Sequence, residues 1–289
     1  MAYDRIASTR RRPALGADHE GDRQVTESKA AWDPDSYMAF ADQRLRPGLD
    51  LITRIQHQDP RLIVDLGCGT GDLTAALARR WPLAQVLGID ESAEMLEKAR
   101  SKFPPTRWPT ISWERLEIAQ WVSVAPVSIL FSNAALHWLG EHHILFPRLM
   151  SQVESDGVLA VQMPDNWDEP SHRLIGELIG DPRWTLRAAP MFVGDPVARP
   201  SEYRAWLQPA ATGIDQWRTT YFHVLEGEDP VLDWVKGSIL RPILAVLEPN
   251  ESEVFLSRLG EAYRSAYPAE PDRKTILPFS RLFLVATRG

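Results

Sequence analysis

The chain has 289 residues, carries a net charge of −7, is 44% hydrophobic and 25% charged, and holds a single cysteine. That balance excludes wholesale disorder, and an acidic chain is poorly suited to phosphate-rich partners, so no nucleic acid is expected. Cys68 alone excludes an intrachain disulfide framework and a cysteine-based zinc site, and no apolar run nears the ~18 residues of a membrane span; the expectation is a soluble, cytoplasmic protein with no metal and no membrane partner.

Residues 1–30 lack apolar periodicity and gather Arg10, Arg11 and Arg12 among Gly, Asp and Glu, so a disordered tail is expected there, ahead of a folded region over 31–289. Between Ser36 and Gln58 apolar residues recur at helical intervals, and Pro47-Gly48 is expected to separate two short helices. Leu62–Leu66 is a short apolar run ending in glycines, as a buried parallel strand would be. A helix through Leu73 and Leu77 follows, then a strand over Gln85–Ile89 and a helix carrying Met95, Leu96 and Ala99. Further strands are expected over Thr110–Trp113, Val127–Phe131 and Val158–Gln162, with a helix over Glu141–Ser151 joining the last two. Such alternation builds a parallel sheet with helices on both faces, an α/β fold. After Trp167 the alternation stops. Asp168–Pro209 is rich in Pro, Gly and Trp, Trp217–His223 alternates like a strand, Pro230–Leu247 and Glu251–Tyr267 read as helices, and Leu282–Ala286 is a closing strand. The two late strands are expected to complete the sheet. The helical segments are expected to form a substrate cap over about 168–275, interrupted by the strand near 217–223.

The sharpest local signal is Asp65-Leu66-Gly67-Cys68-Gly69-Thr70-Gly71, a strand entering a helix through three alternate glycines. Glycine serves where the chain turns tightly and a ligand must approach the backbone. Nineteen positions past Gly71, Asp90 ends the second strand, where a carboxylate can accept hydrogen bonds from both ribose hydroxyls. A nicotinamide dinucleotide, as in an NAD-dependent oxidoreductase, is one candidate cofactor. Its fingerprint wants Gly-x-Gly-x-x-Gly facing a pyrophosphate; here the third glycine comes one position early and Asp72 stands where Gly or Ala belongs. S-adenosylmethionine has no phosphates and carries a sulfonium and an amino group, so Asp65 and Asp72 favour it. The segment resembles the nucleotide-binding half of a Rossmann-like methyltransferase that uses this cofactor. Open α/β sheets bind ligands at the carboxyl ends of their strands, where the loops over 67–71, 90–92, 132–138 and 162–167 should meet. In the third of these, His137 reads as a satisfied, partly buried imidazole rather than a base.

Further blocks are Trp32-Asp33-Pro34 with Tyr37, Arg44-Leu45-Arg46-Pro47, Gly88-Ile89-Asp90, Asn133-Ala134 with Trp138, and Gly157 through Trp167. Later come Glu169-Pro170-Ser171-His172, Trp217 through Tyr221, Asp233-Trp234-Val235, Leu240-Arg241-Pro242 and Arg281-Leu282-Phe283. With the glycine loop, these blocks resemble the trans-aconitate 2-methyltransferase family over about Trp32 to Ala286. The resemblance implies a Rossmann-like seven-stranded, mostly parallel sheet with helices on both faces and helical cap insertions, forming a class I methyltransferase domain. It implies S-adenosylmethionine, held by Asp65, Gly67, Cys68, Gly69, Gly71, Asp90, Glu91, Met95, Glu117, Asn133 and Trp138. It also implies methyl-ester formation on trans-aconitate, with another small carboxylic acid or natural product as the alternative substrate. Two positions depart from the family pattern: Glu117 replaces an Asp and His137 replaces a Gln, and 180–200 shows no clear match.

A carboxylic acid with a pKa of about 4 is already a nucleophile at neutral pH, so no catalytic base is expected and rate must come from positioning. A tri-anionic acid and a chain of charge −7 repel unless local cations intervene. Arg44, Arg46, Arg218, Arg241 and Arg281 are the candidates, with Trp32, Tyr37, Gln162, Asn166, Trp167 and Tyr221 as further substrate contacts. Arg218 and Tyr221 alternate on opposite faces of their strand, so only one of them can line the pocket.

Overall fold

The computed structural model describes residues 45–192, 197–237 and 239–289. The expected tail over 1–30, the first expected helix, and Trp32, Tyr37 and Arg44 lie outside the described residues.

Largely buried runs become the strands β1 (Leu62–Leu66), β2 (Gln85–Asp90), β4 (Val127–Asn133) and β5 (Val153–Pro164), and the mostly exposed β3 (Ile111–Arg115) forms an edge of the sheet. β6 (Ala211–Leu225) and β7 (Thr275–Arg288) complete a seven-stranded sheet of order β3-β2-β1-β4-β5-β7-β6. The β1–β2, β2–β3, β1–β4 and β4–β5 pairs are parallel, and β7 runs antiparallel to both β5 and β6. Because β1 lies between β2 and β4, the strand order reverses there, opening a crevice at the carboxyl ends of β1 and β4.

Several boundaries differ from expectation, each for a local reason. Helix α1 (Arg46–Arg54) contains Pro47 in its first turn instead of stopping at it. Proline's fixed φ suits that position and its missing N–H is not needed there. The same device starts α5 (Pro170–Ile179) and α7 (Pro200–Leu207), so the proline-rich stretch after Trp167 is helical where periodicity alone was silent. Short α6 (Thr185–Ala188) lies between them. The single helix expected over Pro230–Leu247 divides into α8 (Pro230–Lys236) and α9 (Leu240–Ala245), with Gly237 capping the first. Helix α10 (Pro249–Ala266) follows, and α2 (Asp72–Arg80), α3 (Ala93–Lys102) and α4 (His142–Gln152) link the parallel strands. β6, with 15 residues, is far longer than its alternating centre, because it pairs with β7 from Ala211 to Leu225 while exposing much of its length.

Leu66, Leu130, Phe146, Leu159, Tyr203 and Leu282 belong to one hydrophobic core, between the sheet and helices α4 and α7. A second core joins α5, α6 and α8–α10 to the start of β7 through Ile175, Trp184, Leu240, Phe255, Leu259 and Leu277. The late helices therefore bury apolar surface among themselves. No helix among the described residues is long and apolar enough to cross a membrane.

Phe255 is fully buried in the second core, with its ring edge-on to Trp184 at 5.4 Å. Phe255→Ala should cost about 3–5 kcal/mol, read as a lowered midpoint in urea denaturation. A midpoint unchanged from the parent chain would contradict this packing.

Candidate active site

The glycine loop is fixed by its neighbours. The Gly67 and Cys68 N–H groups both donate to the Ile89 carbonyl, at 2.8 and 2.9 Å, tying the turn to β2. Gly67, Gly69 and Gly71 all have positive φ, at 77°, 53° and 80°. A Cβ on Gly71 would stand 2.3 Å from the Trp113 ring, and one on Gly67 would stand 2.3 Å from the Ala135 Cβ. At Gly69 nothing lies within 4 Å of that position, so the loop's outer face is open. Asp90 closes one side: its carboxylate accepts from Gly69 N–H at 2.8 Å and from Ser92 N–H at 2.9 Å. A glycine cradle left open at its centre, with a carboxylate at its rim, fits an adenosyl group whose ribose hydroxyls need acceptors.

Asp65, buried at the end of β1, accepts a hydrogen bond from Thr74 Oγ1 at 2.6 Å. Burial pushes its carboxyl up to about 7; Thr74 works against this, and the charge on Asp90 adds to it. Asp72 forms an ion pair with Lys102, so of the two acids weighed against a pyrophosphate its charge is already countered. The Cys68 thiol is buried and pushed far up by burial, which leaves it an unreactive wall beside Gly88. Glu91 and Glu117 are exposed, and the partly exposed Met95 stands in the first turn of α3, capped by Ser92 Oγ.

Beyond β4 the polar groups gather. Strand register places Asn133 beside Gln162, Gln162 beside Phe283 and Pro164 beside Arg281, so Asn133, Gln162 and Arg281 share one face of the sheet with Asp65. Arg281 is 7% exposed, its Nη1 reaches Gln162 Oε1 at 3.4 Å, and its guanidinium lies 4.6 Å from the Phe279 ring centroid. Among the described residues no carboxylate lies within ion-pair distance of it, and burial lowers its pKa to about 10. Asn133 Oδ1, His137 Nδ1, Gln162 Nε2 and Arg281 Nε are all buried without a hydrogen-bond partner among the described residues. Ala134, in the loop between them, holds φ at 52°, a strained value for a residue with a side chain.

Tyr221 belongs to this face. It is buried, donates to Asp50 Oδ2 at 2.6 Å, and lies 5.4 Å beneath the Arg46 guanidinium. Arg218 points to the opposite face and pairs with Asp165. Of the two competing residues on β6, the structure thus brings Tyr221 to Arg281 and Arg46. Asn166 and Trp167 turn toward the late helices: Asn166 Nδ2 is 3.4 Å from His172 Nδ1, and Trp167 stacks on Phe192 at 4.7 Å. Arg241 on α9 is exposed and lines an open cleft opposite Trp138. The expected satisfied imidazole at His137 is corrected, since its Nδ1 has no hydrogen-bond partner among the described residues. Asp50 and Thr74 were not anticipated. Asp50 stands one helical turn after Arg46 and Thr74 one turn inside α2, spacings that carry no signal until the strands facing them are known. Among the described residues no group of three or more His, Cys, Asp or Glu side chains could hold a metal ion.

Comparison with known proteins agrees with this architecture. A family model described as a methyltransferase domain matches residues 63–157. Trans-aconitate 2-methyltransferase of Methylobacterium nodulans is 44% identical over 260 residues, spanning 90% of this chain and 99% of the relative. The enzymes of the same name from an Azoarcus species and from Escherichia coli are 40% and 38% identical over 257 residues, spanning 89% of this chain and 99% and 98% of theirs. Among solved structures, the YcgJ protein of Bacillus subtilis superposes with a TM-score of 0.54 at 14% identity, covering 83% of this chain and 97% of that one. Phosphoethanolamine N-methyltransferase 2 of Haemonchus contortus, solved with S-adenosylhomocysteine, gives a TM-score of 0.52 at 13% identity, covering 84% of this chain and 52% of that one. At such identities the structural likeness is one of fold: the Rossmann-like class I methyltransferase architecture.

Asp65 supplies a test of the site's electrostatics. Its carboxyl holds a proton up to about pH 7 in the folded chain and would release it near pH 4 when unfolded. Between those values the unfolded chain binds fewer protons, so this residue's contribution to stability falls as pH rises from about 4 to 7 and is level above. The Tm of Asp65→Asn relative to the parent chain should therefore rise between pH 5 and pH 8. A difference independent of pH would contradict the burial account.

Proposed function

This chain belongs to the trans-aconitate 2-methyltransferase family, and on that footing we propose that it methylates a carboxylate of trans-aconitate, forming the monomethyl ester. S-adenosylmethionine, when bound, supplies an activated methyl group. Gly67, Gly69 and Gly71, with Asp65, Asp90 and Asn133, are the residues that would hold it, and Cys68, Glu91, Met95, Glu117 and Trp138 border the same loops.

The observation that carries the substrate reading is Arg281, a buried cation without a carboxylate partner among the described residues. Burying a charge costs several kcal/mol unless an opposite charge and hydrogen bonds offset it. A substrate carboxylate offers both, and guanidinium recognises it in a two-pronged geometry. Gln162 and Tyr221 flank Arg281, and Arg46 stands over Tyr221 at the exposed rim. We read these as the groups that hold the non-reacting carboxylates. The reacting oxygen is best left without a cation, because pairing it would reduce its nucleophilicity.

No residue is required to remove a proton, since the acid is ionised at neutral pH. The side chains agree: Tyr221 is pushed upward by burial and by Asp50, which keeps the phenol protonated, and His137 is neutral. Acceleration then rests on orientation and on excluding water, effects together able to supply roughly 7–11 kcal/mol. The late helices, with Arg241 facing Trp138 across the open cleft, serve in this reading as the substrate cap. The partner is a small dissolved acid in the cytoplasm, and neither a membrane nor a nucleic acid enters.

Labelled S-adenosylmethionine offered with citrate, isocitrate, cis-aconitate and trans-aconitate should give base-labile methyl ester preferentially on trans-aconitate; absence of ester from every acid would overturn the reading. Arg281→Met should raise the KM for the acid by about 100-fold and leave the cofactor Kd within about twofold, as expected for a lost charge-assisted pair. Arg46→Ala, at an exposed and screened position, should raise that KM by only about threefold.

A further inference from the structure

The loop after β4 presents a side chain that the reaction above leaves unused. His137 sits on a 3-10 turn over Leu136–Trp138, with its Nδ1 buried and unpartnered among the described residues. Three unpartnered polar atoms accompany it, on Asn133 of β4, Gln162 of β5 and Arg281 of β7. A buried polar atom left unsatisfied is costly, so their convergence from separate elements describes a place built for polar ligands.

The turn itself is held independently of any ligand. His142 Nε2 lies 3.0 Å from the Leu136 carbonyl, and His142 Nδ1 lies 2.6 Å from the Tyr203 hydroxyl. A carbonyl can only accept, so His142 carries its proton on Nε2 and Nδ1 accepts from Tyr203. The His137 ring packs against Trp138 at 4.7 Å between centroids. Burial, with the nearby Arg281 and His142, holds the His137 imidazole well below its ordinary range, at about 3. It therefore enters the site neutral, free to place its one ring proton on Nδ1. The nearby Arg281 repels a sulfonium or an ammonium and favours an anion, which assigns the ligand of His137 and Arg281 to the acid rather than the cofactor.

Resting on the carboxylic-acid reading above, we propose that His137 is a specificity-determining residue that donates Nδ1–H to a substrate carboxylate also held by Arg281. An acid lacking that carboxylate leaves both groups unsatisfied and is rejected. Asn at this position keeps an N–H donor close to the place of Nδ1, whereas Leu keeps bulk and removes the donor.

The test compares kcat/KM for trans-aconitate with that for the dicarboxylates that each lack one of its carboxylates. His137→Leu should lower the preference for the tricarboxylate over one of those dicarboxylates by about tenfold or more, with the S-adenosylhomocysteine Kd within twofold and most of the preference restored in His137→Asn. Equal losses on all acids would mark a merely structural role and overturn the proposal. Should the Leu variant fail to fold, the His137 Nδ1 resonance in the 15N spectrum of the unaltered protein decides: it shifts when acid is added to the S-adenosylhomocysteine complex, and no shift overturns the proposal. Acid turnover sensitive to Arg281→Met but with preference untouched by His137→Leu overturns this proposal alone. Failure of the unaltered protein to esterify any acid overturns the reading on which it rests.

Discussion

A guanidinium enclosed on a sheet face, with no carboxylate beside it among the described residues, sets the terms for the rest of this site. Arg281 is flanked through register by β5 on one side and β6 on the other, so its backbone cannot retreat toward water. Its neighbours are a neutral amide, the Phe279 ring and the Tyr221 phenol, all of which soften the burial without neutralising the charge. The Asp50 carboxylate accepts from the Tyr221 hydroxyl rather than forming an ion pair with Arg281. The cation is thus kept available. In a chain of net charge −7, a trianion is drawn in only where such local positive charge outweighs the general repulsion.

The sheet order explains why this cation lies next to the glycine loop. Reversal at β1 puts the glycine loop and the end of β4 side by side, and the packing of Gly67 against Ala135 brings the two loops within contact distance. Asp65, Asn133, Gln162 and Arg281 then lie on one face in a row, from the acidic end that suits an adenosyl amino acid to the basic end that suits a carboxylate. Charge complementarity runs across the site. In the proposed reading a cationic methyl donor and an anionic acceptor are each met by the opposite sign, and the neutral His137 lies toward the basic end.

The centre of the parallel half is legible because β1 and β2 are short apolar runs closed by glycine or aspartate, and the expected Leu62–Leu66 matches β1 to the residue. The glycine loop and Asp90 were legible for the same reason: positive φ at three alternate positions leaves few choices of residue. What escaped depends on long-range pairing. The helices that start at Pro170 and Pro200 carry no clear periodicity, and a first-turn proline and a loop proline look alike without caps. The alternation of Trp217–His223 defined two faces, but only pairing with β7 determined that Tyr221, and not Arg218, meets Arg281. His137 was read as an ordinary buried imidazole, since sequence cannot show that a ring nitrogen lacks a partner.

The most direct test of the central claim is a crystal structure with S-adenosylhomocysteine and trans-aconitate both bound. The account predicts one substrate carboxylate in two-pronged contact with Arg281, with Gln162 alongside and the reacting carboxylate directed toward the thioether sulfur. An acid bound elsewhere, with Arg281 paired to a protein carboxylate instead, would contradict it.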